Sequence, residues 1–199
     1  MKLILASNNQ NKLREFRQLT AGMDVELFSQ REAGCDFEAE ENGTTFEENA
    51  YIKAKAVTDF TGCVAVADDS GLVVDALNGE PGIYSARFGP GHSATDKERY
   101  TYLLQRMGDT ADRSARFVCA ICCTFPNGDT LYARGECEGD ILYVPEGENG
   151  FGYDPIFSPD GAEGSMATLT PEQKNKISHR GKALREFIKK LETYLHDNH

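Results

Sequence analysis

The sequence predicts an α/β fold built on a mixed sheet, and three features predict it. Short apolar runs alternate with helical stripes through the first 76 residues, a turn motif joins two strand-like runs in the middle, and an amphipathic stripe closes the chain. Strands separated by helices pair in parallel, whereas a hairpin is antiparallel, so both senses are expected in one sheet.

Residues 2–7 are a short apolar run. Leu13, Phe16 and Leu19 follow at helical spacing with Gly22 just past the end, which gives strand, loop and helix in that order. Residues 25–29 read as a second strand. A loop with six acids between Asp36 and Glu48 then leads to a second helix, whose face is traced by Phe46, Ala50, Ala54, Val57 and Phe60 and which ends near Gly62. Residues 63–67 form a buried strand running into a turn at Asp68-Asp69-Ser70-Gly71, and residues 72–76 continue extended. Thr95-Asp96-Lys97-Glu98 is a capping box, in which the threonine oxygen and the glutamate carboxylate each accept from the other's free amide. Tyr102, Leu103 and Met107 give the helix behind it an apolar stripe, with a stop at Gly108. Residues 116–125, the turn Pro126-Asn127-Gly128-Asp129 and residues 130–134 read as a hairpin, with another strand near residues 140–144. Thr170-Pro171 is an N-cap followed by proline, and Ala183, Leu184, Phe187, Ile188, Leu191 and Leu195 recur on one face of a terminal helix.

A chain of 199 residues is expected to form one domain spanning residues 1–199. With 40% hydrophobic residues it can bury a core in water, and with 27% charged residues it is ill suited to lipid. Its formal charge of -11 would repel a polyphosphate duplex, so a nucleic-acid polymer is not the expected partner. No apolar stretch approaches the ~18 residues of a membrane span, and the opening run is too short for a secretory signal of about 7 to 15 apolar residues. The expectation is a cytoplasmic protein without a membrane partner. Six scattered cysteines then read as reduced thiols. Cys119 and Cys122 make a formal C-x-x-C pair, but three residues apart on a strand they face opposite sides and cannot share one ion.

Five constellations could carry chemistry. Ser7-Asn8-Asn9-Gln10-Asn11-Lys12 is a polar loop opening a helix, where free backbone amides, the helix dipole and a lysine favour phosphate. Ala67-Asp68-Asp69-Ser70-Gly71-Leu72 delivers two carboxylates at a strand end. Hard oxygen donors of this kind suit Mg²⁺ together with substrate phosphates, with one of Asp68 and Asp69 facing the site. Asn49 and Lys53 are four apart and share a helix face, and one more carboxylate from the loop bearing Glu38, Glu40 and Glu41 would complete a magnesium site. Gly150-Phe151-Gly152-Tyr153-Asp154-Pro155 lets backbone approach a flat ligand while a ring stacks on it. Lys174 and Ser178-His179-Arg180 form a cationic group just ahead of the terminal helix; His92, His196 and His199 have no such setting. Taken together these are the parts of a nucleoside triphosphate hydrolase.

The motifs resemble the house-cleaning inosine/xanthosine triphosphate pyrophosphatases over nearly the whole chain. The resemblance is carried by Ser7, Asn9, Lys12 and Glu15, by Phe46-x-x-Asn49-Ala50-x-x-Lys53-Ala54, by Ala67-Asp68-Asp69-Ser70-Gly71-Leu72 and by Pro81-Gly82-Ile83-Tyr84-Ser85-Ala86-Arg87. It continues through Gly150-Phe151-Gly152-Tyr153-Asp154-Pro155-Ile156-Phe157 to Lys174 with Ser178-His179-Arg180. It implies a two-lobed α/β fold with a long central mixed sheet flanked by helices, a cleft between the lobes, and a homodimer requiring Mg²⁺. It also implies that Ser7, Asn8, Asn9, Gln10, Asn11 and Lys12 hold the triphosphate with Lys53, that Glu40 and Asp69 hold the metal, and that Asp69 accepts the proton of the attacking water. Ser70, Phe151, Gly152, Tyr153, Asp154, Lys174, His179 and Arg180 would surround the nucleotide. The implied reaction is hydrolysis of ITP, dITP and XTP to monophosphate and pyrophosphate. Donors from His179 and Arg180 would favour a 6-oxo purine over the 6-amino group of adenine. The alternatives are a related hydrolase for modified pyrimidine triphosphates or one releasing orthophosphate, and a nucleotide-sensing module, which would not need Asp69.

Overall fold

The computed structural model describes residues 1–91 and 93–197, apart from the side chain of Leu19; His92, His199 and the side-chain placement expected for Leu19 lie outside the described residues. In chain order the elements are β1 (Lys2–Leu5), α1 (Gln10–Leu19), β2 (Glu26–Ser29), α2 (Phe46–Thr61), β3 (Val64–Val74), α3 (Asp96–Met107), β4 (Ser114–Thr124), β5 (Thr130–Ile141), β6 (Phe157–Pro159), α4 (Pro171–Ile177) and α5 (His179–Asp197). They form the expected α/β architecture around one six-stranded sheet of order β2-β1-β3-β4-β5-β6. The sheet is mixed: β1 pairs in parallel with β2 and β3, while β5 and β6 are antiparallel.

The chain divides into two compact units. The first holds Met1–Asp69, Cys119–Gly135 and the C-terminal residues from Ala183 on; the second holds Ser70–Val118 and Glu136–Lys182. In the first, strand residues alternate between two cores. Leu3, Leu5, Val66, Cys119, Ile121 and Cys123 join Leu13 and Phe16 of α1 and Ala183, Leu184, Phe187 and Leu191 of α5. Ile4, Ala65, Ala67 and Cys122 meet Ala50, Ala54 and Val57 of α2. Strands covered on both faces read as continuous apolar runs, which is why residues 2–7 show no alternation. Cys119 and Cys122 lie in different cores, and the six cysteines are free thiols. Phe60, expected on the buried face of α2, is exposed and packs edge-on against Phe37.

The second unit buries Leu72, Val74, Leu103, Met107, Phe117, Ile141, Ile156, Phe157 and Met166 in one cluster. The helix starts follow local signals: Thr45 caps α2, and Thr95 with Glu98 and Thr170 with Gln173 complete capping boxes on α3 and α4. Gly62 ends α2 in the left-handed conformation that glycine adopts without strain.

Four local expectations are corrected. Asp68-Asp69-Ser70-Gly71 does not turn; β3 runs through it, because partners described below satisfy its buried carboxylates and let the strand continue. β5 extends to Ile141, so no separate strand occupies residues 140–144. The short β6 was not expected; it lies against Gly139, where a Cβ would sit 2.1 Å from the Ser158 carbonyl oxygen. His179 and Arg180 do not precede the terminal helix but form its first turn, after a break at Ser178 that separates α4 from α5. Among the described residues no helix is long and apolar enough to cross a membrane.

Candidate active site

In the first unit, the end of β1 passes into α1 through Ser7, Asn8 and Asn9. The Asn9 side chain caps the helix by accepting from the Asn11 and Lys12 amides at 2.9 and 3.3 Å, and its own amide donates to Ser7 Oγ at 3.1 Å. Asn8 Oδ1 accepts from the Arg31 amide at 3.0 Å, and Gln10 Nε2 donates to the Asn8 carbonyl at 3.3 Å. The loop is thus pinned from both sides, with Asn8 to Asn11 exposed at a helix N-terminus, where an anion is favoured. Lys12 turns inward: its ammonium lies 2.9 Å from Oδ1 of Asp68, whose side chain is fully buried.

One residue along β3, Asp69 takes different partners, because successive strand side chains point to opposite faces. Its Oδ1 is 3.0 Å from the Lys53 ammonium, and its Oδ2 accepts from Asn49 Nδ2 at 3.4 Å. Asn49 and Lys53, one turn apart on α2, both reach it. Lys53 also meets Glu41 Oε1 at 2.9 Å, and Asn49 Oδ1 accepts from the Gly43 amide at 2.9 Å. A Cβ at Gly43 would fall 2.7 Å from that oxygen, so glycine lets the acidic loop close on α2. The loop therefore brings Glu41 to the cluster, while Glu38 and Glu40 are exposed.

Asp69 and Glu41 thus share the Lys53 ammonium, and Asp68 pairs with Lys12 one residue back along β3. Carboxylate oxygens are the hard donors that suit a divalent cation such as Mg²⁺. Among the described residues no three His, Cys, Asp or Glu side chains converge as a ready-made cage. Burial pushes the Asp69 carboxyl above its ordinary range, against the pull of Lys53 and with help from Glu41. Burial works against the Lys53 ammonium too, but Asp69, Asp68 and Glu41 hold its pKa above the ordinary value. A carboxylate of raised basicity is a better proton acceptor at neutral pH than an exposed aspartate.

The second unit carries an aromatic and cationic cluster, and Ser70, half-buried in β3, begins this unit. The buried Asp154 carboxylate accepts from the Phe151 amide at 2.9 Å and from the Lys174 ammonium at 2.6 Å. Gly150 has φ +80° and a Cβ there would lie 2.1 Å from Asp154 Oδ2, so the turn needs glycine on both counts. The Phe151 ring stays partly exposed with Lys174 Nζ 4.6 Å and Arg180 Cζ 5.7 Å from its centroid. Tyr153 is buried and donates its hydroxyl to the Ser85 carbonyl at 2.9 Å. His179 and Arg180 are more than nine-tenths buried, and the His179 ring stacks on Phe117 at 4.8 Å and 15°. Ser178 caps α5 by accepting from the Gly181 amide at 3.1 Å.

The structure thus gathers Lys12, Lys53, Asn49 and Asp69 in one cluster, and Phe151, Asp154, Lys174 and Arg180 in another. Sequence reasoning missed Phe117 as the plate beneath His179 and Asp96, whose Oδ2 accepts from the Gly152 amide at 2.7 Å, and it did not choose Glu41 as the acid on Lys53. The Asp96 contact spans 56 residues and leaves no local signal. Glu41 was one of three acids that spacing left open.

Residues 3–190 match the model of the Ham1 family. The chain is 45% identical over 194 residues to the dITP/XTP pyrophosphatase of Bacillus anthracis, covering 96% of each. It is 46% identical over 183 residues to that of Deinococcus deserti, covering 92% of this chain and 86% of the relative. Among solved structures, the HAM1 protein of Coxiella burnetii superimposes with a TM-score of 0.92 at 42% identity over 97% of this chain and 99% of that one. The Staphylococcus aureus Ham1 protein does so with a TM-score of 0.89 at 42% identity over the whole of both. Sequence and fold agree along the whole length, and the chain belongs to the Ham1 family.

Proposed function

We propose that this protein hydrolyses deaminated purine nucleoside triphosphates, namely ITP, dITP and XTP, to the monophosphate and pyrophosphate. The observation that carries the reading is the buried Asp69 carboxylate, raised in basicity and set between Lys53 and Asn49. The names of the relatives, dITP/XTP pyrophosphatases, give the substrate class.

In this mechanism the Ser7 to Lys12 loop receives the phosphates at the N-terminus of α1, with Lys12 and Lys53 neutralising their charge. Asp69 and Glu40 would hold Mg²⁺, as the family resemblance implies, and it would supply charge neutralisation at the phosphate oxygens. Glu41 pairs with the same Lys53 ammonium as Asp69. Water attacks the α-phosphorus, its proton passes to Asp69, and the bond to the β-phosphate oxygen breaks so that pyrophosphate leaves. Ser70, the Phe151 to Asp154 loop and Lys174 hold the nucleoside, with the Phe151 ring stacked on the base. His179 and Arg180 donate to the 6-oxo group, where adenine would leave buried donors unpaired. A homodimer is part of the same reading and rests on the family motifs, and a cytoplasmic location is proposed with it.

A Mg²⁺-dependent release screen across standard and deaminated nucleotides tests it. Pyrophosphate, not orthophosphate, is expected, fastest from ITP, dITP and XTP. Orthophosphate release, or a preference for pyrimidines, would overturn the proposal.

A further inference from the structure

We propose that Asp96 is a positioning residue for Phe151, and that through Phe151 it sets the affinity for the purine base. The inference rests on the reading above that the Phe151 loop takes the base. Phe151 lies between Gly150 and Gly152, both at positive φ, +80° and +63°. Neither neighbour has a side chain to anchor the turn, so the ring's direction depends on what holds the peptide groups on either side of it. The amide of Phe151 donates to Asp154 Oδ2 at 2.9 Å, and Asp154 is locked by Lys174. The following amide, that of Gly152, donates to Asp96 Oδ2 at 2.7 Å. Carboxylates from two different elements therefore clamp the two peptides that carry the ring.

Asp96 is well placed to be rigid. It is the first residue of α3, fixed there by the Thr95 and Glu98 capping box, and its Oδ1 meets Arg99 Nη1 at 2.6 Å. Its charge also favours the helix N-terminus, so removing it has a structural cost besides any effect on the loop. The two roles separate chemically. Positioning Phe151 needs only an acceptor oxygen toward Gly152, which asparagine retains, whereas the Arg99 pair and the helix dipole need the negative charge. Base stacking is the same in the ground and transition states, so a loosened ring raises KM and leaves kcat alone.

The test measures kcat and KM for inosine triphosphate, with Tm, in Asp96→Ala, Asp96→Asn and Phe151→Ala, and fluorescence anisotropy in a Phe151→Trp background. Asp96→Ala is expected to raise KM roughly three- to tenfold, the worth of one net hydrogen bond, with kcat held. Asp96→Asn should keep the parent KM even though its Tm falls. In a Phe151→Trp background, where the indole is the only tryptophan of the chain, Asp96→Ala should lower the fluorescence anisotropy and Asp96→Asn should not. A parent-like KM in Asp96→Ala, an equal rise in both Asp96 variants, or unchanged anisotropy overturns the inference. Phe151→Ala separates it from the reading beneath it. If that variant keeps the parent KM, the loop does not take the base and both fall; if it raises KM while Asp96→Ala is silent, only the role of Asp96 falls.

Discussion

Asp69→Asn removes the proposed proton acceptor while preserving its volume. Losing one member of a buried ion pair costs ~3–5 kcal/mol when the survivor is stranded. Here Lys53 keeps Glu41 at 2.9 Å, and the Asp69 charge is itself disfavoured by burial, so the penalty shrinks. If the new amide turns its oxygen to Lys53, its NH₂ faces the NH₂ of Asn49, whose oxygen is already engaged by Gly43. One strained donor contact and one weakened ion pair amount to about 1–2 kcal/mol. For a domain of this size that lowers Tm by roughly 3–6 °C and leaves the protein folded at assay temperature. The chemical cost is far larger. An amide cannot take the proton and binds a hard cation poorly, so kcat should fall by about 10² to 10⁴-fold. Pyrophosphate release at saturating ITP, paired with a thermal melt, reads both quantities. A folded variant with more than half the parent kcat would show that Asp69 is not the base and would shift attention to Asp68.

Lys12→Ala should weaken triphosphate binding far more than monophosphate binding in calorimetric titrations, because in the proposed mechanism its charge neutralises the β and γ groups; equal weakening would place Lys12 elsewhere. It should also lower Tm, since the buried Asp68 carboxylate loses the ammonium 2.9 Å away. Arg180→Ala should cut kcat/KM for ITP by roughly 10- to 100-fold, the worth of a charged donor, and hardly change the rate on ATP, which is expected to be poor in the parent; an unchanged ratio would move base selection to the Phe151 loop. Alkaline pH should destabilise the fold. Burial pushes the Cys122 thiol from 9.0 up to about 12 and raises Cys123 as well, so the folded state keeps protons that the unfolded chain releases. Their stabilisation is full below pH 9 and is lost as pH climbs toward the folded values, by about 1.4 kcal/mol per thiol at pH 10. Urea unfolding at pH 7 and pH 10 should show this loss, and a Cys122→Ala variant should lose less; identical slopes would refute it.

The sequence alone determined what is decided within a few residues. Thr95 and Glu98 satisfy each other across one helical turn wherever the helix goes, and Thr45, Thr170 and Gly62 mark their boundaries just as locally. The four-residue step from Asn49 to Lys53 placed both on one face, and the three-residue step from Cys119 to Cys122 separated them between two cores. Tertiary structure decided whatever depends on a distant partner. Asp68-Asp69-Ser70-Gly71 has turn composition, yet it is strand because Lys12, 56 residues earlier, and Lys53, 16 residues earlier, arrive to neutralise its carboxylates. β6 exists because Gly139 lets Ser158 approach, and Glu41 rather than Glu38 or Glu40 meets Lys53 because Gly43 folds the acidic loop onto Asn49. The stack of His179 on Phe117 and the clamp of Asp96 on Gly152 join residues more than 50 positions apart. Such contacts carry no periodicity or spacing of their own, since they are fixed only when strands and helices have already packed.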